Sequence, residues 1–439
     1  MKKKYRIILY TSIFLLCVVA SIILVVKKSN SVYEEESKPK VVKHKSMLSM
    51  NLEQTAGSGD YKTVTQSSWP TEGYKFNAEL SKCENGSTLS WDDTKKAVIM
   101  QGNVSDKCYV YFDIWIPSIA DYCTSGTDLA TCVKNFGDQG PSVSNIYIHN
   151  SSLTNGAGDN SYRYAGANPN NFVCFGSDAS PCPIDNLYRI IGVFGENYHG
   201  ANGKQLVKLI KYDYMTTDEL GTDGDYSQTY KEWGMDSTYK GTYGDGERIG
   251  VYYWNYKATG SATNTWSTSL LNKTNLNTNF INNIGTTWAN KIATVTWKVG
   301  GNTWANIGTK TSSVAYTNEI TNPVTTNTTD NATTYSAKIG LMYVSDYGFA
   351  ASPDAWTLTM SSYNNTTATN NNWMYMGLYE WTISRIAGDS GYAFFVNRGG
   401  CVSFDNVGDN IGVRASFNLE SSVSYVSGSG SMSDPIVIN

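Results

Sequence analysis

Apolar residues fall into three regimes along the chain. The first is a run over residues 7–26, interrupted only by Thr11, Ser12 and Ser21 and free of charge. A helix of that length, at about 1.5 Å per residue, spans about 30 Å, the thickness of a bilayer core. Four basic residues precede the run and Lys27 with Lys28 closes it. The pattern predicts a transmembrane helix over 7–26 behind a cytoplasmic tail, residues 1–6. The competing reading is a cleaved signal peptide with Val18-Val19-Ala20 as its small-residue site. Residues 22–26 prolong the apolar run beyond that site and favour an uncleaved anchor. Lysines stand on both sides of the run, so the charge rule does not settle its orientation.

The second regime is polar, then sparsely alternating. Residues 27–70 mix Lys and Glu, and later Gly, Ser and Thr, which predicts a tether; residues 47–52 are the one candidate strand in it. Over 71–117 a small β-module is expected, with strands at 88–91 and 96–102 around the turn residues Asp92-Asp93 and a last strand from Cys108 to Phe112. The third regime, residues 121–439, consists of short apolar runs set in long polar loops. Leu187-Tyr188-Arg189-Ile190-Ile191-Gly192-Val193-Phe194 reads as a buried strand. A turn at Gly195-Glu196-Asn197 pairs it with residues 205–211. Residues 212–250 form a Gly/Asp/Tyr-rich loop. Residues 266–283 have helical spacing at Leu270, Leu271, Leu276 and Phe280, and 321–335 is a Thr/Asn-rich insertion. Short strands follow at 340–344, 392–397 and 412–419. The fold class is α+β, with many short strands, few helices and long loops.

Composition places most of the chain outside the cell. Charged residues make up 16%, against about 25% in an average domain, while aromatic residues reach 13%, with 31 Tyr and 12 Trp. Six of the 34 basic residues precede residue 29, where no acid occurs, leaving 28 against 38 acids. A body near −10 argues against nucleic acid as a partner. Beyond Cys17 in the apolar run, six cysteines fall into sequential pairs and Cys401 stands alone. No Cys-x-x-Cys occurs and only three histidines exist, so zinc ligation fails. Proximity suggests Cys83–Cys108, Cys123–Cys132 and Cys174–Cys182 disulfides, with buried free thiols as the alternative. The expected location is the cell membrane, single-pass, with the bulk of the chain extracellular.

Several motifs then occur in a telling order. They are Tyr188-Arg189-Ile190-Ile191-Gly192-Val193, the stretch from Trp266 to Phe280, Leu341-Met342-Tyr343-Val344-Ser345-Asp346-Tyr347, Gly377-Leu378-Tyr379-Glu380-Trp381-Thr382, Arg398-Gly399-Gly400-Cys401 and Gly412-Val413-Arg414. Over about residues 160–437 this series resembles the C-type-lectin-like fold, in the branch shared with formylglycine-generating (sulfatase-modifying) enzymes and with an uncharacterised family of bacterial surface domains. The residues carry their own reading as well. Trp373 and Trp381 can fill a core built from loops. Arg414 is expected to be buried against Glu380. Glu380, Trp381 and Arg414 are read as structural.

Catalysis is not expected. Formylglycine-generating enzymes use a cysteine pair, whereas Cys401 is single here and stands where their motif has Ser. The iron-dependent sulfoxide synthases of that fold need a histidine cluster, whereas His44 lies in the tether and His149 and His199 precede the relevant motifs. No Gly-x-Ser-x-Gly, Walker loop or His-Glu-x-x-His is present. Asp223 and Asp225 are expected to be solvated turn acids rather than a calcium site or a glycosidase pair. No cofactor is expected, structural calcium being the one ion left open.

What remains is a binding module presenting long loops. Phe404, Asp405, Asn406, Asp409 and Asn410 lie within seven positions and form the candidate ligand loop, with Trp373 or Tyr363 as an aromatic wall beside it. The alternative is an ordinary turn with Phe404 tucked inward. The expected partner is an extracellular glycan or protein. A structural envelope or spacer protein and a degenerate member of the sulfatase-modifying family are the competing functions.

Overall fold

The computed structural model describes residues 48–439 apart from 66–67, 71, 103–105, 196–198, 202, 325–331 and 365. The tail, the apolar run over 7–26 and the tether up to residue 47 lie outside the described residues, as do Glu196 and Asn197 of the expected hairpin turn. Among the described residues no helix is long and apolar enough to cross a membrane. Two compact units divide at residue 116.

Among the described residues the first unit has seven strands: β1 (Leu48–Glu53), β2 (Tyr61–Val64), β3 (Tyr74–Phe76), β4 (Lys82–Cys83), β5 (Thr88–Asp92), β6 (Ala97–Gln101) and β7 (Cys108–Ile114). β7 is the hub, with β1 parallel on one side and β3 and β4 antiparallel on the other; β2 pairs with β1, and β5–β6 is a separate hairpin. Period-2 alternation explains its role: Cys108, Val110 and Phe112 are buried while Tyr109 and Tyr111 are half-exposed. The Phe112 ring meets Trp69, Phe76 and Trp91 at 5.6–5.9 Å. The module therefore starts no later than residue 48 and not at 71. Residues 48–64, expected as tether, supply two of its strands. Parallel pairing of β1 with β7 spans about sixty residues, and no local turn signal marks such a pairing.

In the second unit the strands are β8 (Ile146–Ile148), β9 (Tyr162–Tyr164), β10 (Phe172–Cys174), β11 (Leu187–Phe194), β12 (Leu206–Lys211), β13 (Tyr226–Thr229), β14 (Gly250–Tyr252), β15 (Val295–Lys298), β16 (Thr334–Ala337), β17 (Ile339–Gly340), β18 (Glu380–Arg385), β19 (Tyr392–Val396), β20 (Val402–Asn406), β21 (Ile411–Gly412), β22 (Ser416–Asn418), β23 (Tyr425–Ser427) and β24 (Val437–Ile438). One sheet runs β17-β22-β12-β11-β9-β8, with β10 also on β11; a second runs β13-β14-β21-β18-β19-β20. Mixed sheets with few helices make the fold α+β. Every residue of β11 and β12 is buried, as their near-continuous apolar runs imply. Gly192 lies at a register shift in β11, where a Cβ would meet the Tyr162 carbonyl oxygen at 2.2 Å.

Several charges inside this core are paired. Asp346 accepts from Lys208 Nζ at 2.5 Å and faces Arg163 at 3.5 Å, and Arg163 reaches Asp159 at 2.9 Å. Asp346 also accepts the Tyr343 N–H, and the Glu319 carboxylate accepts those of Val344 and Ser345. These acceptors start a helix at Val344–Ala350, so the strand expected over 340–344 is shorter and ends with β17 at Gly340. Asp225 is likewise not a solvated turn acid. It is buried and accepts the N–H groups of Leu270 and Leu271 at the head of the Leu271–Phe280 helix.

Three disulfides join Cys83 to Cys108, Cys123 to Cys132 and Cys174 to Cys182, while Cys401 is a free thiol. Cys83 and Cys108 stand directly opposite on β4 and β7. In a module this small the covalent tie supplements a short core, at about 2–4 kcal/mol per bridge. Alkylation of the native full-length chain without reductant is expected to label Cys401, and Cys17 if it is accessible. Labelling of Cys83 or Cys108 would contradict the bridged module.

Candidate functional site

The second sheet is held together by Arg414, which follows β21. Its Nε donates to Glu380 Oε1 of β18 at 2.8 Å, Nη2 to the Met374 carbonyl at 2.6 Å and Nη1 to the Tyr212 carbonyl at 3.4 Å. Both side chains of the ion pair are almost wholly buried. Burial alone would lower the Arg414 pKa, but the facing Glu380 carboxylate raises it, so the cation persists. β18 and β21 run parallel with Glu380 opposite Gly412, which brings Tyr379 and Ile411 to one place.

The segment after β12 is stitched onto this edge. Tyr214 donates to the Leu378 carbonyl at 3.0 Å and Tyr230 to the Tyr379 carbonyl at 2.8 Å. Lys240 N donates to Met376 O at 3.0 Å. At Gly377, with φ +83°, a Cβ would lie 1.8 Å from the Thr238 carbonyl oxygen, so no larger residue fits. A short helix at Tyr230–Trp233 begins at Thr229, whose capping box with Glu232 fixes its entry. Trp233 is thereby set against Tyr379, with ring centroids 5.3 Å apart, and Tyr379 lies 5.6 Å from Phe395 of β19.

A cleft of about 480 Å³ opens beside these rings. Trp233, Tyr379 and Phe395 make its aromatic wall, and Asn397, Asp405, Asp409 and Asn410 its polar one. Three residues of the expected ligand loop, Asp405, Asp409 and Asn410, therefore line a cavity together.

The other two loop residues, Phe404 and Asn406, do not, nor does Trp373. Phe404 and Asp405 are neighbours on β20 and point to opposite faces. Phe404 stands opposite Phe394 and packs on Trp304 at 5.3 Å, while Asp405 shares the Phe395 face. Asn406 shapes the turn, its Oδ1 accepting the Gly408 N–H at 2.9 Å. Trp373 is 3% exposed, donates to the Tyr164 carbonyl and lies under the Arg189 guanidinium at 4.7 Å. It fills the core and is no wall of this cleft. Tyr363, the other candidate for that wall, is also buried and hydrogen-bonded to Ser312.

Other reactive groups stand elsewhere or are muted. His199 is bound to Asp159 at 3.1 Å and His149 is packed on Phe349 and Trp356. Burial lowers the pKa of each. The half-buried Cys401 thiol is pushed up by burial and stays protonated near neutrality. Cys83, Cys108 and Asp106 converge, but the two sulfurs are bonded to each other and are no thiolate ligand pair. Trp233, Tyr379, Phe395 and Asn397 line the cleft without having been candidates from the sequence, and Trp233 is the most exposed of the aromatic three. Its available signals were the Thr-x-x-Glu boxes at Thr216–Glu219 and Thr229–Glu232, which mark helix starts inside an apparent loop.

Burial, then a hydrogen bond and charge repulsion from Asp405, push the Asp409 carboxyl up to about 6. Its folded pKa thus exceeds the unfolded value of about 3.9. The stability carried by that proton is complete below about pH 4 and is lost as pH rises through about 6. Asp409→Asn is expected to flatten this decline in denaturation curves taken between pH 4 and 7. A decline of unchanged size in the variant would contradict the assignment.

No family model, curated protein or solved structure matches this chain.

Proposed function

We propose that residues 117–439 are a non-catalytic recognition domain of the C-type-lectin-like kind, displayed outside the cell by the apolar N-terminal run, and that its cleft takes a saccharide. The observation that carries this reading is the cleft's composition: the wall of Trp233, Tyr379 and Phe395 faces the acceptors and amides of Asp405, Asp409, Asn410 and Asn397. A sugar ring offers apolar C–H faces and hydroxyl edges, and needs an aromatic surface with convergent polar groups. Trp233 is 39% exposed, so a face of the wall is open to a ligand.

The non-catalytic reading draws on the same geometry. Asp405 and Asp409 are in hydrogen-bonding contact. Glycosidases hold their two carboxyl groups about 5 Å or more apart, leaving room for the sugar or a water. Rigid support beneath the wall suits recognition, because little has to be ordered on binding.

The test is a glycan array probed with the full-length chain in detergent, followed by titration of any saccharide retained. Trp233→Ala is expected to weaken binding at least tenfold, about 1.4 kcal/mol, with little change in melting temperature because the side chain is partly exposed. A folded Trp233→Ala variant that binds as well as the parent would place the site elsewhere.

A further inference from the structure

A second hollow of about 260 Å³ adjoins Trp233 and Tyr379, lined also by Tyr230, Leu378, Asp236 and Arg398. Trp233 and Tyr379 belong to both hollows, so the two are neighbours that share this pair of rings.

Their charges differ. The larger hollow carries Asp405 and Asp409 and no cation among its lining residues. The smaller one carries Arg398, whose Nη1 donates to Asp236 Oδ2 at 2.8 Å while its side chain remains 58% exposed. Asp236 is also held by the N–H and hydroxyl of Thr238, each at 2.9 Å, so it is fixed as the partner that orients the guanidinium. The guanidinium lies 5.9 Å from the Tyr379 ring. A guanidinium has five N–H donors in a planar fork, so a single bond to Asp236 leaves donors for an incoming carboxylate.

Resting on the saccharide reading above, we propose that the two hollows are adjacent subsites of one groove for an acidic oligosaccharide. A neutral or amino-substituted ring lies against Asp405, Asp409 and Asn410. Its carboxylate-bearing neighbour lies against Arg398, and Trp233 with Tyr379 supports both rings. The acidic hollow disfavours a carboxylate by like-charge repulsion, so the polarity of the groove fixes the direction in which the chain lies.

The test uses two matched pairs of probes on the full-length chain: hyaluronan tetrasaccharide against chitotetraose, and 3′-sialyllactose against lactose. In at least one pair the acidic member is expected to bind at least tenfold more tightly than its neutral counterpart. Arg398→Gln is expected to abolish that preference, the larger loss falling on the acidic member. Raising the salt concentration should narrow the gap in the parent chain and not in the variant. Equal or tighter binding of the neutral member in both pairs, with binding still lost in Trp233→Ala, overturns the acidic subsite and leaves the saccharide cleft standing. A preference that survives Arg398→Gln also overturns it. Failure of all four probes to bind the parent chain overturns this inference together with the saccharide reading.

Discussion

The buried pair between Arg414 and Glu380 is the constraint from which the candidate site follows. Removing two charges from water is costly, and the cost is offset only when the ions meet with good geometry and their remaining polar atoms find partners. Arg414 meets that condition by bonding the Glu380 carboxylate and the carbonyls of Met374 and Tyr212. Those partners come from three stretches of chain, and Arg414 itself belongs to a fourth. Satisfying one guanidinium thus draws together the end of β12, the approach to β18, β18 itself and the segment after β21. Tyr379 and Ile411, each close in sequence to one of these groups, come to line the same cleft.

On that frame the long segment between β12 and β14 acts as a wall. Its tyrosines donate to the carbonyls of Leu378 and Tyr379, and its Thr238 packs where only a glycine at 377 leaves room. Trp233 is held by a short capped helix rather than by the sheet, which leaves it half in solvent and against Tyr379. Strand β20 supplies the polar side through Asp405, and Asn397 joins it just past the end of β19. The result is an aromatic pair shared by an acidic hollow and a neighbouring hollow that carries an arginine. Such an arrangement is suited to reading the charge pattern of an extended polar ligand.

Local chemistry was legible in the sequence and long-range register was not. The all-apolar run of β11 announced a doubly covered strand, and sequential cysteines named their own partners. The Arg414–Glu380 contact was readable from a charge beside apolar neighbours. Of the ligand loop, Asp405, Asp409 and Asn410 reach the cleft. Phe404 does not, because the strand continues through it and alternation turns it to the other face. A turn assigned to the whole of 404–410 hides that parity. Trp373 admitted two sequence readings, core filler and cleft wall; the Arg189 guanidinium that lies over its ring, and so marks it as core, comes from nearly two hundred residues away. The parallel pairing of β1 with β7 shares that difficulty, since no turn records it.

Hydrogen exchange on Arg414→Met tests most directly whether this ion pair organises the cleft. The substitution leaves Glu380 buried without its cation, a loss on the order of 3–5 kcal/mol. The expected result is a joint fall in amide protection over residues 374–381 and 411–413, with Leu187–Phe194 and Leu206–Lys211 still protected. Adding Glu380→Gln to the same chain should restore part of that protection. Unchanged protection in the two segments, or an equal loss throughout residues 117–439, would contradict the role given to the pair.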